Sequence, residues 1–63
     1  MSVHVTFPNG FTASIVEEYD GTTELVVLRR GTRAHDTGIG TLQWLDGAGL
    51  IAALMAVQAL PSE

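Results

Sequence analysis

The chain contains no cysteine and no lysine, and each absence argues against certain kinds of binding or catalytic site. Without cysteine there are no disulfides, no thiolate chemistry and no cysteine-containing zinc site. The chain has three arginines and seven aspartates and glutamates, so its net charge is -4. A basic groove for nucleic acid is therefore not expected. A domain of 63 residues buries only about 60% of the surface of its unfolded chain. We therefore expect it to be stabilised by self-association, as a dimer or higher oligomer, or by a partner.

One long apolar run lies near the C-terminal end. Residues 45–60 contain one charged residue, Asp46, and one polar side chain, Gln58. As an α-helix, the stretch from Gly47 to Leu60 would span about 21 Å, short of the roughly 30 Å hydrocarbon core of a bilayer. The first residues have a strand-like pattern with no basic leader. These features predict a cytoplasmic protein that neither crosses nor binds a membrane.

The N-terminal part predicts a β-hairpin around Pro8-Asn9-Gly10. A three-residue loop with a left-handed glycine pairs Val5 with Ala13 and keeps the apolar residues on one face. A two-residue loop would instead place Val5 opposite Ser14, and a slip of one residue turns the whole apolar set to the other face. We favour the three-residue loop.

A second hairpin is predicted at Asp20-Gly21, a strong turn signal. A two-residue turn would set Glu17 directly against Glu24, which is an unfavourable like-charge pair. A loop one residue longer pairs Glu17 with Thr23 and is slightly preferred. The four aliphatic residues 25–28 that follow predict a strand covered on both faces, either central in the sheet or at an interface.

These patterns predict an α+β fold: an antiparallel meander of three to four strands with one C-terminal helix packed on the sheet. The whole chain, residues 1–63, forms a single small domain. Its strands are expected at about 2–7, 11–18 and 23–30. A fourth strand within 34–42 stays open because glycines loosen that segment. The helix is expected at about 46–60, with Asp46 as its N-cap and Pro61 after its end.

The predicted helix has two different faces. At about 100° per residue, its large side chains share one broad side, expected to lie on the sheet: Leu50, Leu54, Val57 and Leu60, extended by Ile51 and Met55. We also expect Met55 to fill the core and Trp44, just before the cap, to anchor it. The other side is a smooth alanine ridge that a second helix could approach closely, although alanine is also tolerated on free surfaces. The candidate interface comprises Val26, Leu28, Ala48, Ala52, Met55, Ala56 and Ala59.

Some polar residues are candidates for a metal site, a pair of carboxylates or an anion site. His4, His35 and Asp36 could form a metal site, and Glu17, Glu18 and Glu24 could supply paired carboxylates. We expect these to be exposed polar side chains, because a hairpin tip offers no enclosing pocket. No catalytic residue, metal or cofactor is expected. The basic residues Arg29, Arg30 and Arg33 could bind an anion or an acidic partner surface.

Several segments occur in a familiar order: residues 7–15 (FPNGFTASI), 24–28 (ELVVL), Asp36-Thr37 and 43–46 (QWLD). This order resembles a group of small accessory proteins of bacteriophages that infect actinobacteria. In those proteins the helix typically opens with a Pro-Glu-Glu-like turn, where this chain has Gly47-Ala48-Gly49. The resemblance implies a viral or mobile-element origin and a location in a bacterial host cell. It carries over no functional residue.

The sequence thus predicts a non-enzymatic phage-type interaction protein that binds itself and can bind one host or viral protein. The alternative is an antitoxin-like or regulatory nucleic-acid-binding protein that uses Arg29, Arg30 and Arg33. The net negative charge of the chain argues against this alternative.

Overall fold

The computed structural model describes residues 2–18 and 20–62. Within them, the backbone forms an antiparallel sheet with one α-helix packed on it, which confirms the predicted α+β fold. The sheet has five strands, where the sequence predicted three to four. The elements in chain order are β1 (Ser2–Thr6), β2 (Phe11–Glu17), β3 (Thr23–Arg29), β4 (Thr32–Arg33), β5 (Thr41–Leu45) and α1 (Gly47–Gln58).

The first hairpin has the predicted three-residue loop. Val5 pairs with Ala13, and the Phe7 N–H donates to the Phe11 carbonyl at 2.9 Å. Gly10 takes a φ of 93°, which a residue with a Cβ adopts only under strain. The favoured register is confirmed, and it keeps Val3 and Val5 on the same face as Ala13 and Ile15.

The second hairpin also has the preferred register. Glu17 pairs with Thr23, and Glu24 lies opposite Val16, so the two glutamates do not face each other. The longer loop is closed by the Glu18 N–H, which donates to the Thr22 carbonyl at 2.8 Å. The predicted register, which keeps Glu17 and Glu24 from lying directly opposite each other, is therefore confirmed.

β3 is the central strand, as its four aliphatic residues predicted. It pairs with β2 along one edge, and with β4 and then β5 along the other. Leu25 and Val27 are buried in the core beneath α1. Val26 and Leu28 point to the opposite side of the sheet, which carries no helix among the described residues and is called the open face below.

A fourth strand exists, but it does not occupy the segment 34–42 that the sequence left open. The two-residue β4 comes before that segment, and β5 begins near its end. Between them the chain makes an excursion in which Gly38 and Gly40 have φ values of 83° and 65°. These left-handed residues interrupt the extended backbone, and the excursion lets Ala34 and Ile39 pack on the core.

A bulge in β5 decides which of its side chains reach the core. Gln43 and Trp44 together lie opposite the single residue Glu24 of β3. Because of this extra residue, Leu42 and Leu45 both pack on the core, which strict alternation forbids for residues three apart. The same bulge turns Trp44 outward, with a φ of 57° and 75% of its surface exposed. The expectation that Trp44 anchors the core is therefore wrong.

α1 begins where the sequence predicted and ends slightly earlier than expected. The Asp46 carboxylate accepts a hydrogen bond from the Gly49 N–H at 2.7 Å, so Asp46 is the N-cap. The last helical residue is Gln58, and Ala59 is the C-cap. Throughout residues 2–18 and 20–62, no helix combines the length and apolar character needed to cross a membrane.

Candidate functional site: the outer face of the helix

The inner side of α1 packs on the sheet through the residues that the sequence assigned to it. Val57 is fully buried, and Leu50, Leu54 and Leu60 are partly buried against the core. Ala53 is buried with them, because a small residue lets the helix approach the strands closely. This part of the prediction is confirmed.

Ile51 and Met55, in contrast, do not extend the inner side. Ile51 is 62% exposed and Met55 is 64% exposed. At about 100° per residue, Met55 lies on the opposite side of the helix from Val57 and Ala53. A single layer of strands can cover only one side of the helix, so the expectation that Met55 fills the core is wrong.

These two side chains stand among exposed alanines. We define the outer face of α1 as Ala48, Ile51, Ala52, Met55, Ala56 and Ala59, all of which are exposed. No residue of α1 carries a charge, and Gln58 is its one polar side chain. Surface helices usually carry charged residues on the side that faces water. An uncharged helix face with two large exposed aliphatic side chains is typical of a contact surface.

The β3 residues expected at the interface lie elsewhere. Val26 is on the open face but is only 7% exposed, and Leu28 beside it is half-buried. They are therefore separated from the outer face of α1 by the sheet itself, and Val26 offers almost no free surface. The exposed part of the candidate interface is concentrated on α1.

The C-terminal end of α1 is bonded to Asn9, a residue that the sequence predicts only as part of a turn. Asn9 is buried, and its Nδ2 donates to the carbonyls of Val57 at 2.8 Å, Gln58 at 3.2 Å and Leu60 at 3.1 Å. Its Oδ1 accepts from the Phe11 N–H at 3.1 Å. These bonds satisfy carbonyls at the helix end and tie it to the first hairpin. No local sequence signal distinguishes this role from that of an ordinary turn asparagine.

The arginines Arg29 and Arg33 lie on different faces of the sheet. Arg29 Nη1 binds both carboxylate oxygens of Asp36, at 3.0 Å and 3.2 Å, and the guanidinium lies over the Phe11 ring at 5.1 Å from its centre. Arg33 pairs with Leu28 and so belongs to the other face of the sheet. Arg30 sits in the tight turn before β4 with a φ of 52°. Arg29 and Arg33 therefore lie on opposite faces of the sheet, and the anion or partner patch stays a prediction.

The acidic residues gather at the opposite end of β3, around the second hairpin. Glu18, Asp20 and Glu24 line an open concavity of about 360 Å³, together with Gln43 and Trp44. The side-chain hydrogen bond from Thr22, helped by the Thr22 backbone N–H, lowers the pKa of Asp20. Hydrogen bonds to the charged form stabilise it, so Asp20 holds its own turn rather than serving as a proton donor. Glu17 lies outside the concavity and is exposed.

The two histidines are exposed and belong to different parts of the fold. His4 lies on the open face and pairs with Ser14, while His35 lies in the excursion between β4 and β5. Asp36 is engaged with Arg29. In the described ranges, no group of three or more histidines and carboxylates is arranged to hold a metal ion.

Comparisons with protein-family models, curated proteins and solved structures returned no match to this chain. The resemblance to phage accessory proteins therefore stays a prediction.

Proposed function

We propose that this chain is a small non-enzymatic accessory protein, phage-encoded, which self-associates by packing the outer face of α1 against the same face of a second copy. The observation that carries the proposal is the exposure of Ile51 and Met55, 62% and 64%, on a helix without a charged residue. Two copies can therefore meet there without burying a charge, which is costly when the charge is unpaired.

The distribution of charge favours a second copy as the partner. Copies with a net charge of -4 repel each other where their charges are close. However, Glu17, Glu18, Asp20 and Glu24 cluster around the second hairpin, which adjoins the N-terminal end of α1 because Thr23 pairs with Leu45, and α1 itself carries no charge. The outer face is therefore a neutral area on an acidic protein, and two copies can meet there without setting charged side chains of α1 against each other.

The shape of the outer face fits helix-on-helix packing. The alanines lie low on the surface and allow two helix axes to approach closely, while Ile51 and Met55 project from the crest. In a two-fold arrangement, the projecting side chains of each copy pack beside the alanines of the other. A standard interface of about 800 Å² per partner would cover roughly one fifth of the 4183 Å² surface.

The test is sedimentation equilibrium of three folded variants. Met55→Glu places a charge at the crest of the outer face, and we expect it to lower the mass relative to the wild type. Ala52→Glu should do the same. Ser62→Glu adds the same charge at an exposed position beyond the helix, and it should keep the wild-type mass.

Circular dichroism would verify that each variant is folded. If both helix variants retain the wild-type mass, the outer face of α1 is not an interface and this proposal fails.

A further inference from the structure

β1 forms an edge of the sheet, and the direction of its backbone groups can be worked out. The Phe7 N–H donates to the Phe11 carbonyl, so the backbone groups of Phe7 point toward β2. In an antiparallel pair these directions alternate along the strand. Val3 and Val5 therefore bond to β2, while the N–H and C=O groups of Ser2, His4 and Thr6 point away from the sheet.

This edge lacks the features that usually prevent edge strands from pairing. Charged residues, prolines and bulges commonly protect such edges, and β1 contains none of them in its sequence Ser2–Thr6. The opposite edge is different, because the two-residue β4 and the bulge at Trp44 make it short and irregular. Within the described chain, β1 is the regular edge with free hydrogen-bonding groups.

We infer that β1 pairs antiparallel with β1 of a second copy, about a two-fold axis at His4, to form one continuous sheet across the two subunits. This register lets Ser2, His4 and Thr6 each use both outward backbone groups. A shift by two residues in either direction would leave an outward residue of each strand without a partner. The His4-centred register is therefore the one that satisfies the most backbone groups.

The residue pattern of β1 identifies the partner as a second copy. The strand reads Ser-Val-His-Val-Thr, which is nearly symmetric about His4. The two-fold places Val3 opposite Val5 of the partner subunit and Ser2 opposite Thr6 of the partner subunit. Like side chains thus share each face, as a sheet with one apolar face requires.

An apolar strip beside α1 supports the same pairing. Among the described residues, α1 packs against β2, β3 and β5 but not against β1. Val3 is consequently 48% exposed on the helix side of the sheet. The two-fold axis brings Val3 against Val5 of the partner subunit. The valines of the two β1 strands then form one apolar surface between the two helices.

The inference deepens the proposed self-association but uses a different part of the molecule. Each of the two surfaces is self-complementary and joins two copies. Together they predict an assembly of four copies or more, whereas either surface alone gives a dimer. The two interfaces can therefore be removed separately.

The decisive variant is His4→Pro. The His4 N–H points away from β2, so proline removes a donor that the single subunit does not use, and proline is tolerated at such edge positions. We expect His4→Pro to halve the mass of the assembly and His4→Val, which keeps the N–H, to leave it unchanged. Adding Met55→Glu to His4→Pro should give a monomer.

The outcomes separate the two proposals. If folded His4→Pro keeps the wild-type mass, the edge pairing is overturned, whatever Met55→Glu does. If Met55→Glu has no effect while His4→Pro halves the mass, the edge pairing stands and the helix interface fails. Should His4→Pro not fold, His4→Lys tests the same point, because it keeps the backbone and sets two like charges opposite each other.

Residue-resolved hydrogen exchange of the wild type gives an independent test. Edge pairing protects the amides of His4 and Thr6 in the concentrated protein and exposes them on dilution. The amide of Val5, which bonds to β2, should be protected at both concentrations. Fast exchange of His4 and Thr6 at every concentration would overturn the inference and leave the edge free for an extended peptide of another protein.

Discussion

Asn9 is the residue that joins the first hairpin to the end of α1. Its amide donates to carbonyls of Val57, Gln58 and Leu60, and these partners lie about fifty positions away in the sequence. A buried carbonyl that loses its donor costs about 1–3 kcal/mol. Asn9 therefore stabilises the tertiary contact that decides which side of α1 faces outward.

We expect Asn9→Ala to lower the free energy of unfolding by about 1–3 kcal/mol. Asn9→Asp should lower it further at neutral pH, because a carboxylate cannot donate and its charge would lie beside the negative end of the helix dipole. Urea denaturation at one fixed protein concentration measures both effects. Equal stability of Asn9→Asp and the wild type would show that these hydrogen bonds do not hold the helix end.

At the level of secondary-structure elements, short-range patterns predicted the sheet well. Alternation and turn residues were enough for both hairpin registers, because a slip exposes apolar side chains or opposes Glu17 and Glu24. The cap at Asp46 follows equally local rules. The positions of β4 and β5 were not predictable in this way, since the excursion between them is shaped by contacts of Ala34 and Ile39 with the distant core.

The bulge in β5 explains why Trp44 was misassigned. Trp44 is a large aromatic residue near two leucines, and a segment of this composition predicts burial. In the structure, however, Leu42 and Leu45 both pack on the core from the same side of β5. Only an extra residue between them allows that arrangement, and it turns Trp44 outward. Whether such a bulge forms depends on the pairing with β3, which the local sequence does not specify.

Trp44→Gly tests this explanation. Removing a core aromatic side chain costs about 3–5 kcal/mol. Here glycine relieves the strain of a positive φ, so we expect the free energy of unfolding to change by less than about 1 kcal/mol. Leu45→Ala, in the same strand but packed on the core, should cost at least about 2 kcal/mol. Thermal or urea unfolding measures both, and a loss above about 3 kcal/mol for Trp44→Gly would contradict the outward placement.

On the scale of the whole molecule, acidic and basic residues lie at opposite ends of the sheet. The acidic residues of the second hairpin lie at one end of β3, and Arg29 and Arg30 follow at the other end. The overall dimensions are 34 × 20 × 18 Å. This separation leaves the middle of α1 and the whole of β1 uncharged, and these are the two surfaces proposed to bind further copies.

The sequence alone predicted the alanine part of the outer face, because a run without charges shows that α1 cannot present an ordinary solvent-facing side. It did not predict that Ile51 belongs there too, and it assigned Met55 both to the candidate interface and to the core. Their exposure follows from the number of layers in the fold: one sheet covers one side of one helix. The open edge at β1 was equally hidden, because it depends on which strands end up as neighbours.

The most direct test of self-association is the mass of the wild-type protein in solution. Sedimentation equilibrium at micromolar concentrations should give a folded species at a multiple of the 6.7 kDa chain mass, four copies or more, that dissociates on dilution. A folded 6.7 kDa species at every concentration would show that one chain is sufficient, and both proposed interfaces would then be wrong.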